Sequence, residues 1–129
     1  MTGTIDFKHD EVNDVLIVTP HWNIENLEDC KVWYNQWVEF CTPLNRKLDC
    51  IMVLKDFRVS ANYSVEWGKY RVKALQNFSR FSYRVNQDLI TGIFVKTSGV
   101  RYNASTKEAN SVEAAIAAIK EDRKKEGIS

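Results

Sequence analysis

Two apolar runs that do not alternate, Val15-Leu16-Ile17-Val18 and Cys50-Ile51-Met52-Val53-Leu54, constrain the fold of this chain more than any other feature. A strand with one wet face alternates apolar and polar residues, whereas an unbroken run needs cover on both faces, as inner strands of an α/β sheet have. Alternating Thr4-Ile5-Asp6-Phe7-Lys8 and a polar stretch from His9 to Asp14 precede the first run, which predicts a hairpin of an outer and an inner strand closed by Pro20. The second run, bounded by Asp49 and Lys55, reads as the middle of the sheet.

Helical spacing fills the intervals. Leu27, Cys30, Trp33, Tyr34, Trp37, Val38 and Cys41 recur every three or four residues behind Asn26 as N-cap, and the pattern ends before Pro43. Ser64 offers a second N-cap, followed by Trp67, Tyr70, Ala74, Leu75 and Phe78. Phe81, Tyr83 and Val85 alternate with Ser82, Arg84 and Asn86 as a strand, and Val100 to Asn103 reads as another. Between them Leu89, Ile90, Ile93, Phe94 and Thr97 fit one helical face, which is the preferred reading, although Thr91 to Val95 also fits a strand. Ser111 caps a last helix with Val112, Ala115, Ile116 and Ile119 buried and Lys120, Arg123, Lys124 and Lys125 at its cation-favouring end, beyond which the tail from about residue 124 is expected to fray.

The fold class is therefore α/β, a single domain over residues 1–129 with a mixed, mainly parallel sheet of about four to five strands and three to four helices. With 18 Lys+Arg against 17 Asp+Glu, net charge +1, no global field draws the chain to nucleic acid or an anionic membrane. Asp6, Lys8, His9, Asp10 and Glu11 leave no apolar core for a signal peptide, and the longest apolar run is far short of the roughly 20 residues of a bilayer helix, so a cytoplasmic protein without stable membrane insertion is expected. Cys30, Cys41 and Cys50 lack C-x-x-C spacing and a nearby His pair, which fits reduced, buried thiols.

This order of elements resembles the STAS-like family known as SpoIIAA-like, relatives of the bacterial anti-sigma-factor antagonists. The resemblance rests on the initial hairpin, on Ile51-Met52-Val53-Leu54-Lys55-Asp56-Phe57 as a central strand with an acidic-aromatic end, and on Val100-Arg101-Tyr102-Asn103 leading to Ser111-Val112-Glu113-Ala114-Ala115-Ile116. It implies a regulatory or interaction module without a cofactor and not an enzyme, whose partner is a protein such as a kinase or sigma-factor regulator. In the antagonists a serine of an Asp-Ser-Ser-Gly-like turn is phosphorylated. Here the matching stretch, Val59 to Trp67, has no Asp-Ser pair and no Gly after Ser64. Ser64 is the phosphoacceptor candidate, with Lys55 and Arg58 near and Ser60 a weaker second, but a serine cap needs no function and Glu66 would repel a phosphate.

Other chemistry is thinly represented. His21 follows Pro20 at the C-terminal end of an inner strand, where open α/β sheets collect ligands, and is the one hint of a small hydrolase. No G-x-S-x-G elbow, no phosphate-cradling glycine motif and no metal-ligand spacing accompanies it. Arg80, Arg84, Lys96 and Arg101 interleave with Phe81, Tyr83, Phe94 and Tyr102, a pattern that strand alternation explains better than single-stranded nucleic acid does. The first helix carries a wide aromatic arc. It is either a deeply buried core face or part of a partner or ligand face comprising Trp22, Trp33, Trp37, Lys55, Asp56, Arg58 and Tyr63. A second copy of the chain and an apolar ligand held in an inter-helix cleft, as in a small-molecule or lipid carrier, are the other occupants such a face would accept.

Overall fold

The structure is a computed structural model and describes residues 3–85 and 107–128. The expected hairpin forms from β1 (Thr4–Asp10) and β2 (Val15–Ile24), antiparallel with Ile5 opposite Pro20 and Phe7 opposite Val18. Its turn is fastened by Asp10, whose carboxylate accepts from the Asn13 backbone and side chain, and Asp14 takes up the left-handed backbone at φ 53°. Pro20 does not close β2. The strand runs on to Ile24 because Pro20 stands where β2 changes partner, between Val18, the last residue paired with the central strand, and Trp22, the first paired with β4. No ladder there needs the N–H that proline lacks.

The central strand β3 (Leu48–Val53) is buried throughout and begins two residues before the expected run. It lies parallel to β2, with Leu16 opposite Cys50 and Val18 opposite Met52, and parallel to β5 (Ser79–Val85) on its other side. β4 (Phe57–Val59) occupies part of the stretch from Lys55 to Ser64 that the sequence presents as loop, and pairs in parallel with the far half of β2. Among the described residues the result is a five-stranded mixed sheet in the order β1-β2-β3-β5, with β4 beside the end of β2. The sheet forks after Val18, and the turn through Lys55 and Asp56 lies in the fork.

Helices cover both faces. α1 (Leu27–Cys41) and α2 (Ser64–Phe78) pack on one, and α3 (Val112–Lys125) on the other. Leu16, Val18, Trp22, Ile24, Cys50, Met52 and Leu54 face the first pair, while Val15, Ile51, Val53, Tyr83 and Val85 meet Ala115 and Ile119 of α3. This explains the unbroken apolar runs: successive residues enter different cores. The expected alternation of β5 is corrected for the same reason, since Ser82 and Arg84 are buried as well. Ser111 caps α3 as expected, accepting the Ala114 N–H at 3.0 Å. The last helix runs through residue 124 to Lys125. Gly127, at φ 72°, turns the chain so that its N–H bonds to Lys124 O and that of Ile128 to Arg123 O at 2.7 Å, a Schellman closure. The expected helix over Leu89 to Thr97, its strand alternative and the strand Val100 to Asn103 lie outside the described residues.

Trp33 is the hub of the larger core, with ring centroids 5.8 Å from Trp37, 5.7 Å from Trp67 and 6.5 Å from Phe57. The indole N–H groups of Trp22, Trp33, Trp37 and Trp67 are buried without a hydrogen bond among the described residues, so apolar burial and ring contact hold the cluster. Replacing Trp33 by Ala is expected to cost about 3–5 kcal/mol in urea-induced unfolding. A loss below about 1 kcal/mol would show that the α1–α2–β4 contact does not depend on this ring.

Candidate functional site at the C-terminal end of the parallel strands

α1 and α2 each return the chain from the end of one parallel strand to the start of the next, so both begin at the strands' C-terminal end. Binding groups of open α/β sheets gather at that end. Here it is formed by the end of β2, the Lys55–Asp56 turn, Arg58 of β4, the 3-10 turn Ala61–Tyr63 and the first turns of both helices. The turn is held by the main chain: Asp56 O accepts from Trp22 N at 3.1 Å and Ile24 O accepts from Ser60 N at 2.8 Å.

His21 bridges two carboxylates, with Nε2 3.0 Å from Asp6 and Nδ1 3.1 Å from Asp56. It thereby links β1, β2 and the Lys55–Asp56 turn. Both nitrogens donate together only in the protonated ring, and among the described residues neither bonds to a serine, threonine or cysteine. Among the described residues no group of three His, Cys, Asp or Glu side chains gathers to hold a metal ion.

The expected partner face divides in two. Lys55, Asp56 and Arg58 are exposed and Tyr63 is half-buried, all at this end of the sheet. Trp22, Trp33 and Trp37 are buried, and this corrects their place in a surface face: α2, through Trp67, and β4, through Phe57, cover the wide aromatic arc of α1 at Trp33. Ser64 is corrected as well. The 3-10 turn runs straight into α2, so Ser64 is the first helical residue, Tyr63 holds the cap position without a side-chain bond, and the Ser64 hydroxyl donates to Ala61 O at 3.1 Å.

At α1 the cap is complete: Asn26 accepts from Asp29 N at 2.8 Å, and Asp29, itself buried, accepts from Glu25 N at 2.9 Å. With Glu28 beside them, this helix start repels a further anion. Two apolar side chains stand out to solvent next to these starts, Leu27 at 43% exposure and Val65 at 39%. Leu27 belonged to the expected buried stripe, but it precedes the first full turn and lies beyond the reach of the core. Val65 falls out of phase with Trp67, Tyr70 and Ala74, a signal present in the sequence that the stripe itself obscures.

On β5 the basic residues of the interleaving are engaged within the fold. Arg80 is bound to Asp49, and Arg84 is buried beside Arg71, whose guanidinium is lowered to about 10 by burial first and then by the charge of Arg84. Lys96, Arg101, Phe94 and Tyr102 lie outside the described residues. The three thiols are buried, and burial raises Cys30 and Cys41 to about 11 and Cys50 to about 12, well away from nucleophilic use. No helix among the described residues is long and apolar enough to cross a membrane.

Neither a scan against protein-family models nor a search of curated proteins returned a match for this chain.

The two serines at helix starts differ in role, and unfolding experiments separate them. Ser111→Ala should lose about 0.5–2 kcal/mol through the vacated cap. Ser64→Ala should stay within about 0.5 kcal/mol of the parent, as at a surface position without a cap. Equal losses would overturn the assignment of the two starts.

Proposed function

We propose that the chain is a non-enzymatic regulatory or protein-interaction module of the STAS-like kind, working in the cytoplasm, and that it receives a protein partner on the C-terminal end of its parallel strands. The observation that carries this reading is the exposure of Leu27 and Val65, apolar side chains in the first turns of the two helices that begin at this end of the sheet, together with the exposed mixed charges of Lys55, Asp56 and Arg58 at the same end. An apolar centre with a polar rim is the make-up of a transient protein interface. The element order supports the family resemblance, which points to a kinase or a sigma-factor regulator as partner class. The reading does not need a phosphorylated serine, because Ser64 turns its hydroxyl into the preceding turn and Glu66 stands in the same first turn.

Site-specific photo-cross-linking in the source cell tests the face. A benzophenone side chain placed at Val65 or Leu27 should give one discrete protein adduct, and Lys55→Glu in the same chain should reduce its yield. The control is Val12, 94% exposed in the β1–β2 turn at the other end of the sheet, which should give none. The same adduct from Val12, or none from Leu27 and Val65, would refute this face as the interface.

A further inference from the structure

The outer edge of β1 forms a second surface, remote in kind from the first. Ile5 stands opposite Pro20, which has no N–H to share, so the pairs Ile5–Pro20, Phe7–Val18 and His9–Leu16 turn the β1 main chain away from the hairpin. The first rung on that open side is filled by a side chain. Gln36 of α1 accepts the Ile5 N–H at 2.9 Å through Oε1 and donates from Nε2 to Gly3 O at 3.4 Å, so its carboxamide stands where the peptide group of a neighbouring strand would. Beyond it, the N–H and C=O of Phe7 and of His9 face outward with no hydrogen-bond partner among the described residues.

Side chains flank this edge on both faces. Towards α1, Ile5, Phe7, Gln36, Glu39 and Phe40 line a shallow groove of about 420 Å³, with Phe7 stacked on Phe40 at 4.6 Å. On the opposite face Lys8 is exposed, with no ion pair within 4 Å among the described residues, while its charge adds to the hydrogen bonds from Asn13 in lowering the pKa of Asp10 beside it.

We propose that the β1 edge receives an extended segment of another protein as an added antiparallel strand, which bonds to Phe7 and His9, sets an apolar side chain in the groove and an acidic one opposite Lys8. Each of Phe7 and His9 offers both its donor and its acceptor on this side, and in the antiparallel sense proposed each exchanges both bonds with one facing residue of the added strand. A second copy of β1 is disfavoured in every two-fold register that keeps these bonds. Centred on Phe7, it lays the other copy's His9 on Ile5, where Gln36 stands; centred on Lys8, it opposes two lysines; centred on His9, it runs into the turn from Glu11 to Asp14.

The test uses the full chain, ¹⁵N-labelled, and a blocked synthetic peptide Thr-Val-Glu-Leu-Thr, which places Glu opposite Lys8 and Leu opposite Phe7. Saturable shifts and slowed amide exchange are expected at Phe7 and His9, but not at Lys8, whose N–H faces β2. A peptide with Lys for Glu should bind about threefold more weakly, as cross-strand charge pairs do. Gln36→Ala should extend the protected footprint to Ile5 when a peptide one residue longer at its C-terminal end is added. Three results would each overturn the proposal: no saturable change at Phe7 and His9 at millimolar peptide, equal binding of the charge-reversed peptide, or self-association of Gln36→Ala without peptide in sedimentation, which would make the occupant a second copy.

Discussion

The fold depends on one buried carboxylate. Asp49, at 1% exposure, begins the central strand's pairing with β2 opposite Val15 and is shared by two arginines. Arg80 grips it with Nε and Nη2 at 2.9 and 2.7 Å, Arg123 adds Nε at 2.8 Å, and the Phe81 N–H donates to the same group at 3.2 Å. The remaining Arg123 nitrogens donate to Asn13 O and Asp14 O, at 3.0 and 2.8 Å. A single charge thus ties β3, β5, α3 and the β1–β2 turn together. Burial alone would raise its pKa, and the hydrogen bonds from Arg80, Arg123 and the Phe81 backbone more than reverse that, holding it below the usual carboxylate range. Around it Arg46 grips Asp14 and His9 adds a further bond, which lowers Asp14 as well.

This network sits at the N-terminal end of the parallel strands, and the division of labour in the molecule follows from that. Its charges are committed to one another, so they fasten the sheet and offer little to a ligand. The opposite end is held mainly by backbone hydrogen bonds of the forked sheet and by the tryptophan cluster beneath it. Its charged side chains at Lys55, Asp56 and Arg58 stay at the surface. The fork makes this possible: β2 exchanges β3 for β4 around Pro20, and the turn between those strands projects beside His21.

What the sequence made legible were the features governed by local rules. The two apolar runs, the Asn26 and Ser111 caps and the stripes of α1 to α3 each follow from neighbours within a few residues. Features governed by distant partners were not legible. Asp49 reads as a strand boundary, because its arginines lie 31 and 74 residues away. β4 is too short at three residues to show a period and exists through its pairing with β2. Ser64 has the right residue type for a cap, but the 3-10 turn before it moves the helix start by one residue. Whether the aromatic arc of α1 is core or surface is not legible in its own pattern, because its cover comes from Phe57 and Trp67 on other elements.

The central claim is that the Asp49 charge, more than its volume, secures the sheet to α3 and to the hairpin turn. Its depressed pKa supplies stability that is present above the unfolded-state value of about 4 and is lost as pH falls below it. Urea unfolding of the parent and of Asp49→Asn between about pH 7 and about pH 3 measures this directly. At neutral pH the variant should be less stable by about 3–5 kcal/mol, since two arginines lose their counter-charge, and the gap should narrow below about pH 4 as the parent's carboxylate takes up its proton. A variant within about 1 kcal/mol of the parent at neutral pH, or a gap that stays constant into acid, would contradict the claim.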